Sequence, residues 1–271
     1  MVVSVNRSGL LAGKVAVVTG ASRGIGEAIA LRFAAEGANV VVSARTLDDG
    51  DHVLAGGINA VVQRIIGAGG EALPVRADLA LPEDREALIA KTRERFGAVD
   101  ILVNNAAVTY YAPVRDFTDK RYRLMMEVQV RAPFHLAQLV LPDMIDRRSG
   151  WILNISSHAA IHPQEDAGAR GGTVYGMCKA ALERFTTGLA SEVYDDYVGV
   201  NVISPGLVAT PGAVYHRLTE GVPERMITPV GVMSEACLRL VHGDPRELTG
   251  RVTYAADVMK EFDLTPAELI A

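Results

Sequence analysis

The sequence predicts an α/β fold, a single domain on a doubly wound, parallel, seven-stranded sheet. Three observations carry this reading. Short β-branched runs alternate with longer helical patterns along nearly the whole chain, the pattern of right-handed βαβ units. Several runs are apolar at almost every position, as parallel strands covered on both faces are. A glycine-rich turn joins the first run to the first helical stretch. With 271 residues, 49% of them hydrophobic, the chain is long enough to bury one large core.

In chain order, strands are expected at 14–19, 39–44, 72–77, 100–105, 151–156, 198–204 and 251–255. Helical spacing fills GIGEAIALRFAAEG, EDREALIAKTRERFG, a long segment near 118–146, and YGMCKAALERFTTGLASEVY. Residues 1–11 read as a flexible N-terminal arm and 12–271 as one domain without repeats or linkers. Three connections, 45–57, 158–173 and 206–232, are longer than a simple crossover requires. Each follows a strand, and in an open α/β sheet such loops face the ligand crevice. The segment 206–232 is the expected substrate loop.

Bulk properties narrow the function. A formal charge of −5 argues against general affinity for nucleic acid or anionic membrane. No apolar run approaches the roughly 18 residues needed to span a bilayer, and the first residues lack the pattern of a secretory signal. Cys178 and Cys237, the only cysteines, are too few for a disulfide framework or zinc cluster. A cytoplasmic setting is expected. No metal site is expected either, because His158, His162, Glu165 and Asp166 lack tight ligand spacing.

The first strand runs into Gly20, Ser22, Arg23, Gly24, Ile25 and Gly26, with the glycines spaced G-x3-G-x-G. Glycine lets the chain turn sharply and brings backbone N–H groups close to a pyrophosphate, while the helix aims its positive end at the same anion. Without Gly-Lys-Ser/Thr this is no nucleoside triphosphate loop. NAD-binding sheets usually carry an acid at the end of the second strand. Here that end reads SART, with Arg45 in its place and Arg23 in the glycine turn. Two guanidiniums suit a 2′-phosphate that an acid would repel, so NADP(H) is preferred, with NAD(H) the alternative.

Tyr175 and Lys179 stand four apart, stacked on one face of a helix. Roughly 0.15 such pairs are expected by chance in a chain of this composition, so the pair gains meaning only from its company. TGASRGIG (19–26), NNAA (104–107), SS (156–157), YGMCK (175–179) and SPGLVAT (204–210) together resemble the short-chain dehydrogenase/reductases. The resemblance runs from about residue 12 to 255, and the long loops after the second and fifth strands are similar to those of the hydroxysteroid-dehydrogenase-like branch.

That resemblance implies a Rossmann sheet ordered 3-2-1-4-5-6-7 and hydride transfer between a nicotinamide cofactor and a ketone/aldehyde–alcohol pair. It makes Tyr175 the acid/base. Lys179 stabilises the phenolate and holds the nicotinamide ribose, and Ser157 polarises the substrate oxygen. A free phenol, with a pKa near 10, would be drawn toward the working range by that cation and the oxidised cofactor. Asp78 is expected at the adenine amino group. Asn104, Ala106 and Ala107 are expected under the adenosine, with bracing of the first strand through Thr19 the alternative for Asn104. Pro205, Gly206, Val208 and Thr210 are expected at the carboxamide. The resemblance also implies a homotetramer or homodimer built on 118–146 and the helix of Tyr175.

Two departures from the family pattern are visible. Serine precedes tyrosine by 18 positions instead of 13, an excess that a loop can bulge outward. The helical Asn that orders a water for the proton relay is Gln129 here, so the relay could persist, shift or be lost. A catalytically weak NADP-binding regulatory or scaffold protein and a 3-oxoacyl thioester reductase are the alternatives to a carbonyl reductase. Tyr110, Tyr111, His158, His162, Tyr215 and His216, on loops around the expected cleft, suggest an apolar or aromatic small-molecule substrate.

Overall fold

The structure, a computed structural model, describes residues 4–165 and 171–270. Seven parallel strands form one sheet in the order β3-β2-β1-β4-β5-β6-β7. They are β1 (Val15–Thr19), β2 (Asn39–Ala44), β3 (Glu71–Arg76), β4 (Ile101–Asn104), β5 (Gly150–Ile155), β6 (Val198–Ser204) and β7 (Val252–Tyr254). β2 and β6 fall where the residue pattern places them, and the other strands begin or end within a residue or two of it. β1, β4, β5 and β6 are buried along their entire length, which explains why they alternate so little.

The helices are α1 (Gly24–Ala35), α2 (Ile58–Gly67), α3 (Pro82–Phe96), α4 (Asp119–Met126), α5 (Ala132–Arg147), α6 (Thr173–Glu192), α7 (Pro211–Tyr215), α8 (Val230–Arg239) and α9 (Ala255–Glu261). α1, α2, α8 and α9 enclose one apolar core. α3, α5 and α6 enclose a second on the opposite face of the sheet. Both faces are therefore covered, as a doubly wound sheet requires. Arg32 ties α1 to α8 through Glu235 at 2.7 Å.

Two expectations need correction. Residues 4–11 are not a loose arm: Leu11 is buried in the first core, and Val5 and Asn6 donate to the Ala68 and Ala35 carbonyls. Leu11 is buried beside an exposed Leu10, so the short apolar run carries no periodicity to read. The segment 118–146 is also not one regular helix, because a π-helical turn, Glu127–Arg131, separates α4 from α5. Pro133 offers no N–H to the residue four before it and its ring crowds that carbonyl. The wider turn, closed by the Ala132 N–H to the Glu127 carbonyl, accommodates it.

Candidate active site

The carboxyl ends of β1, β2, β4, β5 and β6 open into one cleft of about 460 Å³. Its floor is the glycine turn. Gly20 has φ +65°, and a Cβ there would lie 2.7 Å from Ala106 Cα, while one on Gly26 would lie 2.4 Å from the Gly20 carbonyl oxygen. Only glycine fits, so β1, α1 and the chain after β4 meet through their backbones. This leaves the N-terminal turn of α1 bare, a cradle that fits the pyrophosphate of a dinucleotide.

Gly20, Ser22, Arg23, Gly24, Ile25, Gly26, Arg45, Asp78, Ala106, Ala107, Ser157, Tyr175, Lys179, Pro205, Gly206, Val208 and Thr210 all line this cleft. Asn104 does not. It is buried as the last residue of β4, paired in register with Asn154. Its Nδ2 donates to Asn154 Oδ1 at 2.9 Å, and Asn154 in turn donates to Thr186 at 2.8 Å. Asn105, the second asparagine of the same motif, faces the cleft instead. Its side chain donates to the Thr19 and Gly20 carbonyls at 2.8 and 3.1 Å, so it, and not Asn104, braces β1. A strand ending one residue earlier than read accounts for the swap.

Ser157, Tyr175 and Lys179 come together although 18 residues separate the first two. Ser157 caps the short 3-10 turn His158–Ala160, its Oγ accepting from the Ala159 N–H at 3.2 Å. That turn lies directly on α6 at Gly176, where a Cβ would come within 2.6 Å of the Ala159 carbonyl oxygen. The glycine of YGMCK thus holds serine and tyrosine together regardless of the longer loop between them. Ser156, the first serine of the SS pair, is buried and donates to Glu183 at 2.6 Å.

Desolvation pushes the Tyr175 phenol up to about 12, opposed by a hydrogen bond with Ser157. Lys179 is buried and pulled down to about 8 by desolvation, against the opposing influence of Cys178 and Glu183. Its Nζ donates to the Ile155 carbonyl at 2.8 Å and stands 5.6 Å from the centre of the Tyr175 ring. Burial of the phenol dominates, and the protein by itself raises the tyrosine pKa.

Gln129, in the π-helical turn, does not line the cleft. It is buried, its Nε2 donates to the Val108 carbonyl at 2.8 Å, and Oε1 has no partner among the described residues. Of the aromatic residues suspected of touching substrate, Tyr111 and His216 line the cleft. The Tyr111 ring meets Tyr175 at 6.1 Å and His216 at 5.8 Å, edge to face. His158 turns away and stacks on Tyr254 at 4.5 Å, and Tyr110 packs under Arg121. Thr46, His52 and Leu54, within the long connection 45–57, also line the cleft. Among the described residues no group of three or more His, Cys, Asp or Glu could hold a metal; Asp166 lies outside them. No helix among the described residues is long and apolar enough to cross a membrane.

A family model described as short chain dehydrogenase matches residues 14–221. Human hydroxysteroid dehydrogenase-like protein 2 is 30% identical over 254 residues, 94% of this chain but only 59% of that protein's length. A putative NAD(P)-dependent gluconate 5-dehydrogenase from Beutenbergia cavernae with bound NADP superimposes with a TM-score of 0.79 at 30% identity, covering 92% of this chain and 97% of that one. L-sorbose reductase from Gluconobacter frateurii, complexed with NADPH and L-sorbose, does so with a TM-score of 0.75 at 29% identity, covering 94% and 96%. With its strand order, glycine cradle and serine–tyrosine–lysine cleft, the chain belongs to the short-chain dehydrogenase/reductase family and is an NAD(P)-dependent oxidoreductase acting on a CH–OH/C=O pair.

Proposed function

We propose that the protein is an NADP(H)-dependent carbonyl reductase, reversible as an alcohol dehydrogenase, whose substrate carries apolar or aromatic groups. The observation that carries this reading is the convergence of Ser157, Tyr175 and Lys179 on one side of a cleft whose other side is the glycine cradle. The dinucleotide, when bound, supplies or accepts the hydride. On this reading the Ser157 hydroxyl donates to the substrate oxygen and orients it. The proton on that oxygen comes from the Tyr175 hydroxyl, which is fully protonated at neutral pH. Lys179 spends one N–H on the Ile155 carbonyl, leaving two donors and a positive charge to stabilise the phenolate as it forms.

NADP(H) over NAD(H) is supported by Arg45, which is exposed on the cleft at the end of β2 where an acid would otherwise hold ribose hydroxyls. The apolar character of the substrate is supported by Tyr111, His216, Leu207 and Leu218 along the cleft wall. Two buried free cysteines fit a reducing cytoplasm. A panel of ketones and secondary alcohols, assayed with both cofactors by the absorbance of the reduced nicotinamide, tests this. Turnover of bulky apolar ketones with NADPH is expected. Cofactor binding without turnover of any carbonyl compound would favour a binding protein instead.

A further inference from the structure

The loop joining β2 to α2 is built into the cofactor cleft, and its construction reassigns the two arginines. The Arg23 guanidinium is committed to this loop: Nε donates to the Ala55 carbonyl at 2.7 Å, and Nη2 to the Gly56 carbonyl at 2.8 Å. Gly56 lies so close to the glycine turn that a Cβ on it would meet the Ser22 carbonyl oxygen at 2.6 Å. Arg23 is a strap across two backbone carbonyls, and charge-assisted bonds of this kind are the stronger ones.

Three carboxylates on the loop would repel a phosphate if they faced the cleft, but each is engaged within the loop or its helix. Asp49 Oδ1 accepts from the Gly56 N–H at 2.8 Å, and Asp51 Oδ2 from the Asp48 N–H at 3.0 Å. Asp48 Oδ1 accepts from Asn59 at 2.8 Å. The residues that line the cleft here are His52 and Leu54, beside Arg45 and Thr46. Arg45 has no side-chain hydrogen bond or ion pair among the described residues.

His52 presents a defined face. Its Nδ1 accepts the Leu54 N–H at 3.1 Å. A neutral imidazole that accepts at one nitrogen carries its proton on the other, so Nε2 is the donor. Protonating Nδ1 would break that bond and add a third cation beside two guanidiniums. Partial desolvation, then Arg23 and then Arg45, hold the ring below its ordinary pKa.

We infer that His52 Nε2–H and Arg45 together form the binding site for a 2′-phosphoryl group on the adenosine ribose, with Arg23 a positioning residue that holds His52 in place. This rests on the NADP(H) reading above. A phosphoryl group offers three acceptor oxygens to the two partners, where a ribose hydroxyl offers one.

Titration calorimetry with 2′,5′-ADP and with 5′-AMP tests the assignment without turnover. The unmodified protein is expected to bind 2′,5′-ADP more tightly. His52→Ala should weaken 2′,5′-ADP by about five- to tenfold, leave 5′-AMP unchanged, and be partly rescued by His52→Gln, which restores an N–H donor. Arg23→Met should weaken both ligands and speed hydrogen exchange at Leu54 to Gly56. If the unmodified protein prefers 2′,5′-ADP and His52→Ala keeps that preference in full, the inference fails while the NADP(H) reading stands. If the unmodified protein shows no preference, both fall. If Arg23→Met weakens 2′,5′-ADP alone without loosening the loop, Arg23 is itself the phosphate ligand and the strap assignment is wrong.

Discussion

Lys179 Nζ donates to the Ile155 carbonyl at 2.8 Å and stands 5.6 Å from the centre of the Tyr175 ring. The lysine is thus anchored to the end of β5, the same strand that delivers Ser157, and does not pair with the phenol oxygen. The tyrosine remains a protonated acid until substrate and cofactor change its surroundings.

Tyr175→Phe keeps the ring, its edge contact with Tyr111 and the packing of α6, but removes the proton. Turnover should fall by about 10²–10⁴-fold, the scale of a lost general acid. Cofactor affinity should change little, since Lys179 is untouched. Stopped-flow reduction and calorimetry on the same preparation separate the two effects. A variant that turns over at the unmodified rate would remove Tyr175 from the mechanism.

If the chain reduces carbonyls as proposed, the two shifted groups should set the pH profile of that reaction. Tyr175, pushed up to about 12, stays protonated across the working range. Lys179, pulled down to about 8, is charged below that value and neutral above it. The reduction rate should be level at lower pH and decline as pH rises through about 8, because the cation that stabilises the phenolate is being lost. A rate level from roughly pH 6 to 10 would contradict this assignment of roles.

Gln129 gives its amide N–H to the Val108 carbonyl, on the chain that carries Tyr111 into the cleft. Gln129→Ala should therefore loosen residues 106–111, raising KM for substrate more than it lowers kcat. If instead Gln129 orders a relay water, Gln129→Ala should slow kcat with KM unchanged, and Gln129→Asn should restore it. Steady-state constants for the two variants decide between them. We expect the KM effect, about three- to tenfold for the loss of one buried hydrogen bond.

Most of the framework was legible because it follows from patterns of two and 3.6 residues and from a glycine turn with its own steric logic. β2 and β6 coincide with their apolar runs, and Gly20 and Gly26 stand where any Cβ would clash. What was hidden depends on atoms far apart in sequence. Asn104 and Asn105 exchange roles because β4 stops one residue short of the apparent run. The π-helical turn at Gln129 reflects Pro133 acting on the helix before it. Arg23 looks like a free phosphate ligand until the carbonyls of Ala55 and Gly56 are found against it. Tyr175 rises in pKa because desolvation, which no local spacing reports, outweighs its hydrogen bond with Ser157.

Arg45→Asp places an acid at the end of β2, where it would repel a 2′-phosphate and could accept from ribose hydroxyls. Preference should shift from NADP(H) toward NAD(H), with NADPH weakened by about 1.5–3 kcal/mol, the worth of a charge-assisted contact. Competitive binding of the two reduced cofactors measures it. Equal affinities in the unmodified protein would sink the NADP(H) preference itself.

Assembly is the last expectation open to test. α5 and α6 frame a groove in which Phe134, Ala137, Leu141, Phe185 and Leu189 stand beside the polar Gln138, Arg184 and Glu192. Phe134 is 41% exposed and packs against Phe185 at 5.8 Å, so one aromatic pair faces outward where a monomer gains nothing by showing it. A pairing of two copies through α5 and α6 would cover this face, and a stable interface of ordinary size buries about 1,200–2,000 Å² in total. Light scattering should report a mass of two or four chains of 28.9 kDa. Phe134→Asp should split the assembly while leaving the fold intact, because the position is already half in water and makes no hydrogen bond through its side chain. The unmodified protein running as a single chain at micromolar concentration would overturn the assembly. An unchanged mass in Phe134→Asp would move the interface to another face.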